Sequence, residues 1–169
     1  EEAVFWDAEP YYQSNPIMTD AEGRYAWDVP EGMWQVVANK DGYNEMKTEW
    51  LPVPPPQLNV NRELVSTEKP GVASVELSSD KMKVVFDKYV KTASVADKIS
   101  LSAGEDVVIT EVKALNSATR GEDAIATIFE VAFESVLDAS KAYTAAFAAG
   151  IESYAGVAMD AAEVADLKV

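Results

Sequence analysis

Apolar side chains in this chain recur at every second position, in short runs separated by turn residues. Tyr25, Trp27 and Val29 alternate with Arg24, Ala26 and Asp28, and Trp34, Val36 and Ala38 alternate with Met33, Gln35 and Val37. The same spacing returns at Met82, Val84 and Phe86 and at Tyr143, Ala145 and Phe147. A period of two is the side-chain period of a half-buried strand and cannot line one face of a helix. The runs are bounded by Asp20 and Gly23, by Pro-Glu-Gly at 30–32, by Lys-Asp-Gly at 40–42 and by Ser-Ser-Asp-Lys at 78–81. Gly, Pro and Asp supply the backbone angles of tight turns. The expectation is an all-β protein, with 25–29 and 34–38 paired as an antiparallel hairpin.

The other strands expected in the second half are 72–77, 98–102, 106–115, 124–133, 142–147 and a final strand within 162–169. Six or seven short strands over about 100 residues form the pattern of a sandwich. Residues 139–165 are rich in alanine, which argues helix on propensity. The alternation of Tyr143, Ala145 and Phe147, broken by Gly150 and Gly156, argues strand, and strand is the reading taken.

Proline fixes φ and lacks a backbone donor. Four prolines stand in the five residues 52–56, directly after Trp50 and Leu51. Leu58, Val60, Arg62 and Leu64 then alternate with Asn59, Asn61, Glu63 and Val65, which reads as a closing strand. The proline run is therefore placed inside a first domain, as a stiff crossover rather than a PxxP ligand. Polar and turn residues cluster at 66–71, and the domains are set at 1–66 and 70–169.

The stretch Gly-x-Tyr-x-Trp-x-Val-Pro-x-Gly-x-Trp-x-Val, closed by Lys-x-Gly-Tyr, covers 23–43. It resembles the transthyretin-like (prealbumin-like, carboxypeptidase-regulatory-type) β-sandwich, whose modules are strung along bacterial secreted and surface proteins. Modules of that kind begin with a further strand or two, and only Ala-Val-Phe-Trp (3–6) precedes here. The resemblance implies a first sandwich incomplete at its N-terminal edge, and dimers through that edge are expected. The pattern from Pro70 onward, with Lys-Val-Val-Phe at 83–86, resembles bacterial Ig-like domains of S-layer and other surface proteins. Two tandem β-sandwiches result.

Charge and composition narrow the function. Among 169 residues there are 14 Lys and Arg against 29 Asp and Glu, a formal charge of −15. The acid is spread evenly, with 12 acidic and 4 basic residues in 1–66 and 17 and 10 in 67–169. Nucleic-acid binding draws on clustered cations, so neither nucleic acid nor an anionic membrane surface is a partner. No stretch approaches the about 20 apolar residues of a membrane span. Cysteine and histidine are absent. That removes disulfides, thiolate nucleophiles, a Ser-His-Asp triad and a zinc site. The chain opens on Glu1-Glu2 in mid-pattern and is read as a piece excised from a longer protein.

No cofactor is implied. Weak calcium binding stays open at Asp20, Glu22 and Asp28, at Glu105 and Asp106, or at Glu122 and Asp123, beside a plain turn reading of those carboxylates. A Lys–Asn isopeptide bond, drawn from Lys40 or Lys47 with Asn59 or Asn61, stands as a remoter option. Trp6, Trp27, Trp34 and Trp50 all fall in the first 50 residues. Trp27 and Trp34 occupy apolar strand positions and are expected in a core. Trp6, Tyr11, Tyr12 and Trp50 lie at segment ends and are the residues that could stack on a sugar ring. The expected function is non-catalytic: a spacer module of a secreted or cell-surface bacterial protein, with neighbouring domains of the same polypeptide as partners. The alternative is a carbohydrate-binding module of a polysaccharide-degrading enzyme. Exposure of Trp6 and Trp50 separates the two.

Overall fold

The computed structural model describes residues 3–169. The chain is all-β, with two short 3-10 turns at Glu9–Tyr11 and Thr92–Ser94. It divides into two compact units, the first ending at Leu64 and the second spanning Val65–Val169.

The second unit is a β-sandwich. Its larger sheet contains β5 (Val72–Leu77), β6 (Lys81–Lys91), β8 (Ile109–Ala114), β9 (Ala118–Arg120) and β10 (Asp123–Phe133). The order is β5-β6-β10-β8, with β9 also on β10. The smaller sheet has the order β12-β11-β7, from β7 (Ile99–Ser102), β11 (Tyr143–Phe147) and β12 (Ala162–Leu167). Every pairing is antiparallel. The alanine-rich tail is thus strand, as its alternation and glycine breaks indicate. A helix there would leave β7 without its sheet.

The alternation seen in the sequence becomes the core. Met82, Val84 and Phe86 from β6, Phe129, Val131 and Phe133 from β10, Leu101 from β7, and Tyr143, Ala145 and Phe147 from β11 are all buried in one cluster. Phe86 is the hub of its aromatic part. Its ring meets Phe129 edge-on (centroids 5.6 Å apart, 87°) and Phe147 likewise (6.2 Å, 80°). Edge-to-face packing matches the positive rim of one ring to the negative face of another.

Two polar devices set the register. Tyr143 opens β11, and its hydroxyl accepts the Asp138 N–H at 2.9 Å, pinning the preceding loop to the sheet in the manner of a tyrosine corner. Asn116 stands between β8 and β9, which cover different parts of β10 and leave 126–128 uncovered. Its Oδ1 accepts from the N–H groups of Thr127 and Ile128 at 3.1 and 2.9 Å, and its Nδ2 donates to Thr127 Oγ1 at 2.7 Å. A side-chain amide thereby replaces the missing strand. Across this break the alternation of Phe133, Val131 and Phe129 is interrupted, and the adjacent Ile125 and Ala126 are both buried.

The first unit is built differently. It holds β1 (Gly32–Trp34) paired with β4 (Leu51–Val53), and β2 (Val37–Ala38) paired with β3 (Met46–Lys47). Thr48 links the two ladders: its N–H donates to Val36 O and its Oγ1 accepts the Val36 N–H, both at 3.0 Å. Among its described residues only Ala8 and Thr48 are buried. The expected hairpin between 25–29 and 34–38 does not form, because 32–34 pairs with 51–53 instead. Proline enters that ladder as Pro52, opposite Met33. Both strands of a two-stranded ladder are edges, where a missing donor is tolerated. The expected strand at 58–65 is also absent, and Asn59 lies in the left-handed region there (φ 58°), which breaks the extended run.

Candidate functional site

The aromatic residues of the first unit converge on a broad open hollow of about 2220 Å³. Trp6, Tyr11, Trp27, Trp34 and Trp50 all line it. Of the four residues expected to reach a sugar, Trp6, Tyr11 and Trp50 are brought to this one surface. Tyr12 does not line the hollow: it caps the first 3-10 turn in a left-handed conformation (φ 56°) with its side chain fully in solvent.

The rings are not coplanar. Trp6 is tilted by 43° to Tyr11 at 5.6 Å and stands at 75° to Trp34 at 5.3 Å. Trp6 is half-buried by these neighbours, while Trp50 is 42% exposed. Trp27 and Trp34 are half-buried too, not the closed core expected of them. Their indole N–H groups are used locally: Trp27 donates to Ser14 O at 2.8 Å and Trp34 to Pro30 O at 2.9 Å. These rings act as walls of the hollow. A flat platform for a sugar ring would need two or three of them in one plane.

Acidic turns show what their carboxylates do. Asp20 Oδ1 accepts from the N–H groups of Glu22 and Arg24 at 3.0 and 2.7 Å, closing its own turn. Asp123 lies 3.3 Å from Lys91 Nζ, which Glu152 also approaches at 3.3 Å. No group of three or more acidic side chains that could hold a metal ion occurs among the described residues. Lys47 is exposed and paired with Glu45 at 3.0 Å, and Lys40 lies over the Tyr43 ring at 4.8 Å.

The ionisable groups that shift do so away from neutrality. Lys88 holds Glu68 below the ordinary carboxylate value, and Lys47 does the same for Glu45. The Ser140 hydroxyl and N–H lower Asp138. Glu130, Glu68 and Glu152 raise Lys81, Lys88 and Lys91 by hydrogen bonding. A general acid or base working near neutral pH needs the opposite displacement. These are surface ion pairs that fix charge.

A small depression of about 290 Å³ in the second unit is lined by Phe147, alanines and the charged Asp97, Lys98 and Glu163. Ile99 and Ser100 line it too, and no group of side chains that could hold a metal ion occurs there among the described residues.

Sequence reasoning missed Asn116. Its signal was an asparagine followed by serine after a strand, which in one sequence is also the signal of any turn.

A search of curated proteins finds no match. One similar solved structure is that of the N-terminal part of the bacterial S-layer protein SbsC. The likeness has 21% sequence identity and a TM-score of 0.48, and covers 59% of this chain. It covers 24% of that chain, so the present chain spans about a quarter of its length. Among described families, the bacterial Ig-like domain matches residues 61–166, which takes in β5 to β11 and all of β12 but its last residue. Over most of its length, then, the chain belongs to the bacterial Ig-like domain family.

Proposed function

We propose that this chain is a non-catalytic spacer of a secreted or cell-surface bacterial protein, whose Ig-like unit transmits tension from one end to the other. The observation that carries the reading is where the chain enters and leaves that unit. Lys69, just before β5, donates to both carboxylate oxygens of Asp160, just before β12, at 2.8 Å each. A single lysine side chain is short against a six-residue strand of about 20 Å. The starts of the first and last strands therefore lie at the same end.

The other end is fixed independently. Leu167, at the end of β12, pairs with Tyr143. The Tyr143 hydroxyl holds Asp138, and the neighbouring Leu137 N–H donates to Ser79 O at 2.7 Å, in the turn that follows β5. The chain thus enters beside Gly71 and leaves beside Ser79. Tension applied through the chain runs along the strand axes, perpendicular to the ladder hydrogen bonds. Several bonds then carry the force together instead of opening one by one.

The apolar interior and the evenly acidic surface support the same reading, since a large net charge keeps neighbouring copies apart. Likeness of the first unit to a transthyretin-like module rests on its Gly-Tyr-Trp-Pro-Gly-Trp signature alone.

Optical tweezers on the full chain, held by its two ends, test the proposal. Unit Val65–Val169 has 169 − 65 + 1 = 105 residues. It should open in one step releasing about 340 Å, from about 3.5 Å per extended residue less the folded length. Tethering instead at residues 79 and 137, which lie at one end, should give a clearly lower force. Equal forces for the two geometries would refute the spacer mechanism. Labelling of intact cells tests the surface location.

A further inference from the structure

The larger sheet of the Ig-like unit ends at β8. Its register on β10 sets Ala114 opposite Phe129, Lys113 opposite Glu130, Val112 opposite Val131 and Glu111 opposite Ala132. The Leu115 N–H continues this register and donates to Ile128 O at 2.9 Å. Residues of an antiparallel strand turn their N–H and C=O groups alternately to one side and the other. Leu115, Lys113 and Glu111 therefore direct theirs to β10, and Ala114, Val112 and Thr110 turn theirs outward. Among the described residues no strand pairs with that outer side. At the other border of the sheet, β5 approaches β12 instead.

The outer face of this sheet carries a charge pattern that stops at β8. Glu76 stands opposite Lys83, Lys83 opposite Glu130, and Glu130 opposite Lys113, a row of alternating sign across four strands. Lys83 approaches Glu76 at 3.7 Å, and Glu130 is also held by Lys81 at 3.0 Å. Lys113 ends the row. Among the described residues neither it nor Glu111 takes part in an ion pair, and both are exposed. A further strand would continue the row by setting an acid against Lys113. We infer that this strand is β8 of a second copy, antiparallel and related by a two-fold axis through Val112.

Outward backbone groups pair only with outward groups, which leaves few registers. An axis midway between Thr110 and Val112 would set Glu111 against Glu111, and one midway between Val112 and Ala114 would set Lys113 against Lys113. An axis through Thr110 or Ala114 would carry Val112 onto Val108 or Asn116. Both are tied to the β10 side: Val108 O accepts the Glu134 N–H at 3.0 Å, and the Asn116 amide holds Thr127 and Ile128. The axis through Val112 sets Glu111 of each copy against Lys113 of the other. Val112 then exchanges two hydrogen bonds with its counterpart, and Ala114 meets Thr110. Glu111 and Lys113 fall at the non-hydrogen-bonded positions, where facing side chains stand closest. The half-buried Val112 gains cover from its counterpart.

Residues 107–116 carry no other charge, so the seam is neutral although the whole chain stands at −15. Repulsion between the copies is screened over about 8 Å at physiological salt. The ladder on β10 slips between Glu111 and Ile109, which confines the seam to Thr110–Ala114 and makes the contact transient. Paired units point in opposite directions along their strand axes.

Sedimentation and amide exchange of the full chain, in about 0.15 M salt and at up to about 1 mM protein, test the proposal. A dimer should form as concentration rises. The amides of Val112 and Ala114 should slow with it, while those of Glu111 and Lys113, already bonded to β10, should not change. Glu111→Lys and Lys113→Glu should each weaken the dimer about fivefold or more. An equal mixture of the two variants should restore it, because they bring opposite charges to the seam. A monomer at about 1 mM, a dimer that leaves exchange at Val112 unchanged, or a dimer indifferent to both substitutions would overturn the proposal. So would a Glu111→Lys chain that prefers the wild type to Lys113→Glu as its partner, since that register sets Glu111 against itself.

Discussion

Phe86, Phe129 and Phe147 are 2%, 1% and 1% exposed, so truncating any of them removes the same kind of buried surface. They differ in ring contacts: Phe86 meets both others, and each of the others meets Phe86. Replacing phenylalanine by leucine keeps most of the volume and costs about 1 kcal/mol in transfer and imperfect packing. Each edge-to-face pair adds about 0.5–1.5 kcal/mol. Phe86→Leu should therefore cost about 2–4 kcal/mol, and Phe129→Leu or Phe147→Leu about 1.5–2.5 kcal/mol. A unit of this size has a stability of about 5–15 kcal/mol. Each kcal/mol lowers its midpoint by about 4–8 °C. Calorimetry and urea unfolding of the three variants should rank Phe86→Leu as the most damaging, by about 2–12 °C for the one extra ring pair. If Phe129→Leu or Phe147→Leu matches or exceeds Phe86→Leu, the picture of Phe86 as hub is wrong.

Asn116→Ala strips two backbone N–H groups of their acceptor and should cost about 1–3 kcal/mol, with exchange at Thr127 and Ile128 accelerating most. Tyr143→Phe should cost about 1 kcal/mol and speed exchange at Asp138 without moving the core resonances. Glu68 is held below its ordinary value of 4.5 by Lys88, and Asp138 below 3.8 by Ser140. A carboxylate lowered in the folded state stabilises above its unfolded pKa, and that contribution fades as pH falls through the lowered value. The melting temperature should accordingly drop below about pH 4, and less steeply in Glu68→Gln. Soluble polysaccharides titrated against the chain should leave tryptophan fluorescence unchanged, since the rings of Trp6, Tyr11 and Trp34 stand at 43° and 75° to one another. A saturable shift lost in Trp50→Ala would instead establish sugar binding.

The Ig-like unit was legible because its strands pair with neighbours that alternate in the same way. Met82, Val84 and Phe86 stand beside Phe129 and Val131 on one sheet and share one apolar interior with Leu101, Tyr143, Ala145 and Phe147 of the other, so local period and tertiary burial agree. What stayed hidden were features that depend on where strands stop. The continuation of β6 to Lys91, the short β9, and the Asn116 amide that fills the gap alongside β10 all belong to the register between distant segments. In the first unit, the alternation at 25–29 predicted a strand, and the half-buried pattern is there without a ladder. Alternation reports which side of the chain is apolar, and it cannot report whether a partner backbone lies alongside. Pro52 misled for a related reason, because a proline is excluded from a central strand but not from an edge. At the hollow, the sequence pointed to Trp6, Tyr11 and Trp50 but could not give the angles between their rings, which decide what the surface can hold.

Entry beside Gly71 and exit beside Ser79 also bear on how this fold can be rearranged. Many domains have neighbouring termini, and new ends can be cut into them once the old ones are joined by a few residues. Here the joining segment must run the length of β5 and β12, about 20 Å, which takes at least about six extended residues. A permuted gene with a two-residue joint should yield misfolded protein, and one with an eight-residue joint should fold. By the same geometry, duplicating residues 65–169 in frame lengthens the molecule by one full unit, while inserting that unit into a tight surface turn would force the two ends of the turn apart.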